Sequence, residues 1–171
     1  MPSRSSEKSS DLDPIGFASH DHRKCIASAM ASAEARADEK GLRFTPVRRK
    51  VLEILAQEHR ALGAYEILDR LREAGFGSQP PVAYRALDFL VSNGLAHRIE
   101  RLNAFVACAH PDDGHVPAFM ICRVCDTVAE ARATPDRGAL DAVAEAAGFT
   151  IERTVVEAEG LCPICADGDK A

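Results

Sequence analysis

Residues 80–108 read PPVAYRALDFLVSNGLAHRIERLNAFVAC, and the pattern changes period half-way along. Pro81 suits the first position of a helix; Tyr84, Leu87, Leu90 and Val91 recur at helical spacing; Gly94 is a stop. Beyond Gly94 the apolar residues alternate through LAHRIE, turn at RLN and alternate again in AFVAC, which predicts a β-hairpin. Upstream lie more helices. CIASAMASAEARADEK, from Cys25 to Lys40, is Ala-rich and ends at Gly41. In TPVRRKVLEILAQ, Thr45 suits an N-cap and Pro46 the first turn, with Val47, Val51, Ile54 and Leu55 on one face. AYEILDRLREAG predicts a helix with Tyr65, Leu68 and Leu71 inward and Gly75 as its end. Three helices followed by a hairpin is the order of a winged helix-turn-helix, whose third helix enters the major groove while the hairpin touches the backbone. Here that helix is Pro81–Ser92. Ala83, Tyr84 and Arg85, expected to be exposed near its start, are placed to reach bases or phosphates.

A second unit follows HPDDGHVP. AFMIC is a strand running into a cysteine knuckle, and DTVAEA continues as a strand. TPDRGALDAVAEAAG predicts a helix capped by Thr134 or Asp136 and ended by Gly148. FTIERTVVEAEG reads as a long alternating strand leading to CPIC. So few elements make too small a core to stand alone, so this unit needs metal, a partner subunit, or both. The expected division is a disordered leader over 1–24, a winged-helix domain over 25–107, a hinge over 108–117 and a small α/β domain over 118–171. The fold class is α+β.

The bulk composition fits this division. The chain has 171 residues, is 46% hydrophobic, and carries a net charge of −5. That charge is unevenly spread: residues 41–101 are net +3 and residues 102–171 net −7. A basic part and an acidic part in one chain point to nucleic acid on one side. The polar start has no signal-peptide core and no apolar run is long enough for a membrane span. The expected location is the cytoplasm, where clustered cysteines bind metal more often than they form disulfides.

Four of the six cysteines form two pairs, Cys122-Arg-Val-Cys125 and Cys162-Pro-Ile-Cys165. Each turn lets two thiolates converge, and four complete a closed tetrahedral zinc shell that contributes folding energy. An iron–sulfur cluster uses the same ligands; a thioredoxin-like redox pair needs one such motif, not two matched ones. Both pairs sit at strand ends, so one ion would pin the first strand of the unit to the last. Cys108, His97, His115 and Glu130 then supply one sulfur, two nitrogens and one carboxylate, a complete second shell with ligands from both domains and the hinge. His110 competes with His115 for one place. A thiolate in the set favours zinc over iron(II) or manganese. A lone His on a strand is otherwise a solvated residue and a lone Cys a small buried hydrophobe. HDHRKC, with His20, His22 and Cys25, offers weak metal binding in the leader.

These motifs resemble the ferric-uptake-regulator family. GLRFTPVRRKVLEIL, AYEILDRL, PPVAYRALDFLVSNGLAHRIE and GLCPIC carry the likeness, over about residues 25–165, and it is nearest to the zinc-uptake-regulator branch. The resemblance implies a homodimeric, metal-responsive repressor of zinc-uptake genes that binds a palindromic operator in double-stranded DNA. It implies two zinc ions per subunit: structural zinc at Cys122, Cys125, Cys162 and Cys165, regulatory zinc at His97, Cys108, His115 and Glu130. DNA contact maps to Tyr84 and Arg85, supported by Tyr65, Arg43 and Arg48. The hinge departs from the iron- and peroxide-sensing branches in having two histidines and an acidic pair, and PPVAYRAL lacks the Thr-Val usual before the tyrosine. A zinc hydrolase with Glu130 as general base is the rival class, but no HExxH or HxE signature is present. No membrane and no small organic substrate is expected.

Overall fold

The computed structural model of the chain describes residues 16–17, 21–77, 79–111, 116–131 and 138–168. Four helices come first: α1 (His22–Glu39), α2 (Pro46–Ala56), α3 (Ala64–Glu73) and α4 (Pro80–Ser92). α1 starts three residues before Cys25, because the Asp21 side chain accepts the Arg23 N–H at 3.0 Å and caps it. Thr45 caps α2 in the same way, accepting from the Arg48 N–H.

The buried stripes differ in two places from the expected ones. On α3 the inward residues are Ile67, Leu68 and Leu71, and Tyr65 is 71% exposed. Two residues at 100° each separate Tyr65 from Ile67 by about 200°, so both cannot face the core. On α4 the stripe is Ala83, Ala86, Leu87 and Leu90. Ala83, expected to be exposed, is 1% exposed, while Tyr84 beside it is 44% exposed. Alanine at 83 lets α4 pack closely, and the next residue, about 100° further round the helix, points its tyrosine outward. These helices share one core with Val51, Leu52, Leu55 and Leu95. Gly94 ends α4 at φ +67°; a Cβ there would meet the Arg36 guanidinium at 2.9 Å. That guanidinium donates to the Asn93 carbonyl at 2.8 Å.

A three-stranded antiparallel sheet follows, ordered β1 (Leu62–Gly63), β3 (Ala104–Ala107), β2 (Ala96–Ile99). β2 and β3 are the expected hairpin, paired from Ala96↔Ala107 to Ile99↔Ala104. Asn103 turns it at φ 47°, and its side-chain oxygen accepts from Arg98 at 2.7 Å. β1 was not legible in the sequence, being two residues long. With the helices before it, this hairpin makes the winged helix-turn-helix.

The second sheet is ordered β5 (Val128–Ala131), β4 (Ala118–Cys122), β6 (Val156–Gly160), with β4 antiparallel to β5 and parallel to β6. Two short helices, α5 (Gly138–Ala146) and α6 (Pro163–Gly168), complete the unit. β6 is shorter than the expected strand over 149–160. Its first partner, Ala118, is the first residue of β4, so residues before Val156 have no strand to pair with. The expected caps Thr134 and Asp136 lie outside the described residues.

The wing is packed on both faces. Phe105 and Ala96 face the helices. Ile99, Ala104 and Val106 meet Phe119, Ile121 and Val128 of the second sheet. Backbone and side-chain bonds join the same parts. The His59 carbonyl accepts from Val128 N–H at 2.7 Å. The Glu157 carboxylate accepts from the N–H groups of Glu100 at 2.7 Å and Arg101 at 3.1 Å, at the turn of the wing. Among the described residues no helix is long and apolar enough to cross a membrane.

Candidate metal centres and nucleic-acid interface

The parallel pairing of β4 with β6 brings the two cysteine pairs together. Cys122 ends β4 and Cys162 follows β6, and the Arg123 N–H donates to the Gly160 carbonyl at 2.9 Å across the join. The Cys125 and Cys162 sulfurs are 3.7 Å apart. The ligand atoms of Cys122, Cys125, Cys162 and Cys165 all lie within 4.8 Å of one another. The thiols are tuned unequally. Backbone hydrogen bonds, from Cys162 first and then Cys125 and Val124, pull Cys122 down to about 6. Cys125 is also lowered, first by the Thr127 hydroxyl, 3.1 Å from its sulfur. Cys165 is pushed up to about 12, first by its hydrogen bond with Cys162 and then by burial. Four sulfurs this close all ionise only beside a compensating cation, so the donor set fits a tetrahedral dication. Thr127 is a supporting residue with no sequence signal beyond its place two after Cys125.

The second cluster joins His97, Cys108 and Glu130, whose ligand atoms also lie within 4.8 Å of one another. His97 is on β2, Cys108 follows β3, and Glu130 is on β5 opposite Phe119. His97 pairs with Val106, so Cys108 lies two residues on along the same face of the hairpin. The Cys108 N–H donates to the Leu95 carbonyl at 3.0 Å, which holds it against the start of β2. His97 Nε2 is 3.3 Å from Glu130 Oε1, and Cys108 Sγ is 3.9 Å from the same oxygen. The other carboxylate oxygen accepts the Ala109 N–H at 2.8 Å. Glu130 is 5% exposed, the one charged side chain among the described residues that is buried. A buried carboxylate beside a thiol and an imidazole is a costly arrangement unless it serves a cation. Burial, and then the Glu130 charge, push the Cys108 thiol up to about 12. His115 lies outside the described residues; His110 is within them but not in this cluster. Arg36 was missed by sequence reasoning: it donates to the Pro111 carbonyl as well as to Asn93, tying the hinge to the end of α4.

The predicted DNA-contact residues come from α3, α4, the start of α2 and the segment before it. Tyr84 and Arg85 are both exposed on the first turns of α4. Tyr65 is exposed on α3, and Tyr65, Tyr84 and Arg98 line one groove. Arg43 is exposed before α2. Arg48 is half-buried: its guanidinium stacks 3.7 Å over the Phe89 ring and donates to the Arg43 carbonyl.

The model of the ferric uptake regulator family matches residues 39–158. The chain belongs to the ferric uptake regulator family. Within it, the chain is 37% identical to the zinc uptake regulation protein of Escherichia coli (strain K12) over 139 residues, 81% of each chain. Among solved structures it is similar to a zinc uptake regulator complexed with zinc and DNA, at 35% identity and a TM-score of 0.81. The match covers 85% of this chain and 98% of that one. It is also similar to holo XcZur, at 42% identity and a TM-score of 0.74, covering 82% and 98%.

Proposed function

We propose that this protein is a zinc-responsive transcriptional repressor that binds palindromic operators of zinc-uptake genes as a metal-loaded homodimer. The observation that carries the reading is the His97–Cys108–Glu130 cluster. Its thiol and carboxylate are buried, and its members come from the wing, the start of the hinge and the second sheet. The sulfur favours zinc over iron(II) and manganese. The zinc-bound and DNA-bound relatives support the same reading. His115 is the proposed fourth regulatory ligand. The four cysteines hold a structural ion, which gives two zinc ions per subunit. The exposed apolar residues Val124, Leu140, Val143, Phe149 and Ile164 of the second unit support a homodimer through residues 118–171.

When bound, zinc supplies positive charge and fixed coordination at each donor set. The rest is done by this chain. His97 belongs to the wing that packs against α4, Cys108 directly follows the wing's last strand, and Glu130 belongs to the second sheet. Holding the three together selects one angle between winged helix and second sheet from a wider population. In a dimer, that angle sets the two α4 helices about one DNA turn apart, in two major grooves. Arg85 then reads a purine edge, and Tyr84 packs on a thymine methyl or bonds a phosphate. Tyr65, Arg43 and the net positive charge of 41–101 hold the backbone. Arg48 acts from behind, fixing Phe89 of α4.

The test is operator binding against buffered free zinc, with iron(II) and manganese in parallel and Cys108→Ser beside the wild type. Zinc-dependent binding that Cys108→Ser abolishes is expected. A zinc response unchanged in Cys108→Ser would remove the cluster from the sensor.

A further inference from the structure

Of the HDHRKC motif, His22 and Cys25 contribute to neither donor cluster. His22 opens α1, and Cys25 stands one turn further along the same face. His59 comes from the segment between α2 and β1, 37 residues away in sequence. The fold brings the His22 and His59 rings to 4.9 Å between centroids, tilted by 38°. Cys25, His59, Cys108 and Glu130 all line one cavity of about 270 Å³. Five of the six cysteines lie in the two clusters above; Cys25 is the sixth.

Two imidazoles on one tetrahedral ion, with metal–nitrogen bonds of about 2.0–2.1 Å, bring their ring centroids to about 5 Å. The His22–His59 spacing is already at that value. Two nitrogens and one thiol form a borderline donor set that suits zinc. The three ligand atoms stand farther apart than those of the two clusters above. His22 and His59 keep their spacing, and closing the set takes movement of the half-buried Cys25 side chain toward the two rings. Three protein ligands leave a fourth position open, as a site that exchanges its ion requires.

We propose that His22, Cys25 and His59 form a third, exchangeable zinc site beside this cavity, and that it delivers the ion to Cys108 and Glu130. The site itself stands on its own residues; the delivery role rests on the regulatory reading above. A tethered donor presents its ion at an effective concentration near the millimolar range, far above micromolar free metal.

Full-length protein with its four-cysteine site loaded is titrated with cobalt(II), and the uptake is followed by thiolate-to-cobalt absorption. The wild type should take up two equivalents and the His22→Ala/His59→Ala double variant one. Cys25→Ser should lose one thiolate contribution, which Cys108→Ser keeps. At micromolar cobalt, filling of the Cys108 site should slow at least about tenfold in the double variant while its equilibrium affinity stays unchanged. Equal stoichiometry in wild type and double variant would overturn the site. One equivalent lost with unchanged filling rate would overturn delivery. Failure of the regulatory reading shows separately, as Cys108→Ser losing no absorption. His22, Cys25 and His59 are exposed or half-buried and Cys108 is buried, so wild-type thermal unfolding of every variant is the folding control.

Discussion

Glu130→Gln isolates charge from shape. The carboxylate is 5% exposed and contacts Ala109 N–H, His97 and Cys108. Glutamine keeps an acceptor for the Ala109 N–H but loses the charge. In the metal-free protein the weaker hydrogen bond costs about 1 kcal/mol, which relief of a buried charge largely offsets. The metal-loaded protein behaves differently. Removing one partner of a buried charge pair costs about 3–5 kcal/mol, and about 1.4 kcal/mol is tenfold, so zinc affinity should fall about 100-fold or more. At free zinc near 100 times the wild-type Kd, wild type gains about 2.7 kcal/mol from binding and the variant about 0.4 kcal/mol. For a chain of this size the difference of about 2.3 kcal/mol is a shift of about 5–9 °C in Tm. The assay is thermal unfolding at buffered zinc, with the four-cysteine site filled in both proteins. A variant whose zinc-induced rise in Tm matches the wild type would refute Glu130 as a ligand.

Three further outcomes are expected. Cys122→Ser should unfold or monomerise the protein, because the second unit joins β6 to β4 on a small core and buries only Ala144 from α5; size-exclusion chromatography and circular dichroism check this, and a stable native dimer counts against the structural site. Arg85→Ala should weaken specific operator binding by about 1–3 kcal/mol without lowering Tm, since the side chain is exposed; anisotropy with operator and scrambled duplexes separates specific from backbone binding. The raised Cys108 thiol gives two pH dependences of opposite sign. Metal-free stability from this group is complete below the free-thiol value of 9.0 and is lost as pH rises toward about 12. Zinc uptake must expel the proton, so apparent affinity should rise about tenfold per unit near neutrality; calorimetry in buffers of different ionisation enthalpy measures the released proton.

Much of the fold follows from local chemistry. Thr45-Pro46 starts α2, Gly94 ends α4, and the change from helical to alternating period marks the wing. The two cysteine motifs carry their chemistry in their spacing, since each turn converges two sulfurs whatever surrounds it. Errors came where one face had to be chosen. Tyr65 was expected inward because tyrosine is apolar enough to fill a stripe, but Ile67 lies across the helix and took the core. Ala83 is expected outward at the start of the helix that meets DNA, but close packing of α4 uses its smallness and buries it.

The sequence by itself determined which residue types are available as ligands, where most helices start and stop, and that a basic unit precedes an acidic one. These are properties of neighbours within a few residues, fixed by capping, period and charge. Only the tertiary structure decided that β6 runs parallel beside β4, that the wing is covered on both faces, and that His59 meets His22. Such pairings depend on which apolar faces bury each other across dozens of residues, and no local pattern encodes the partner.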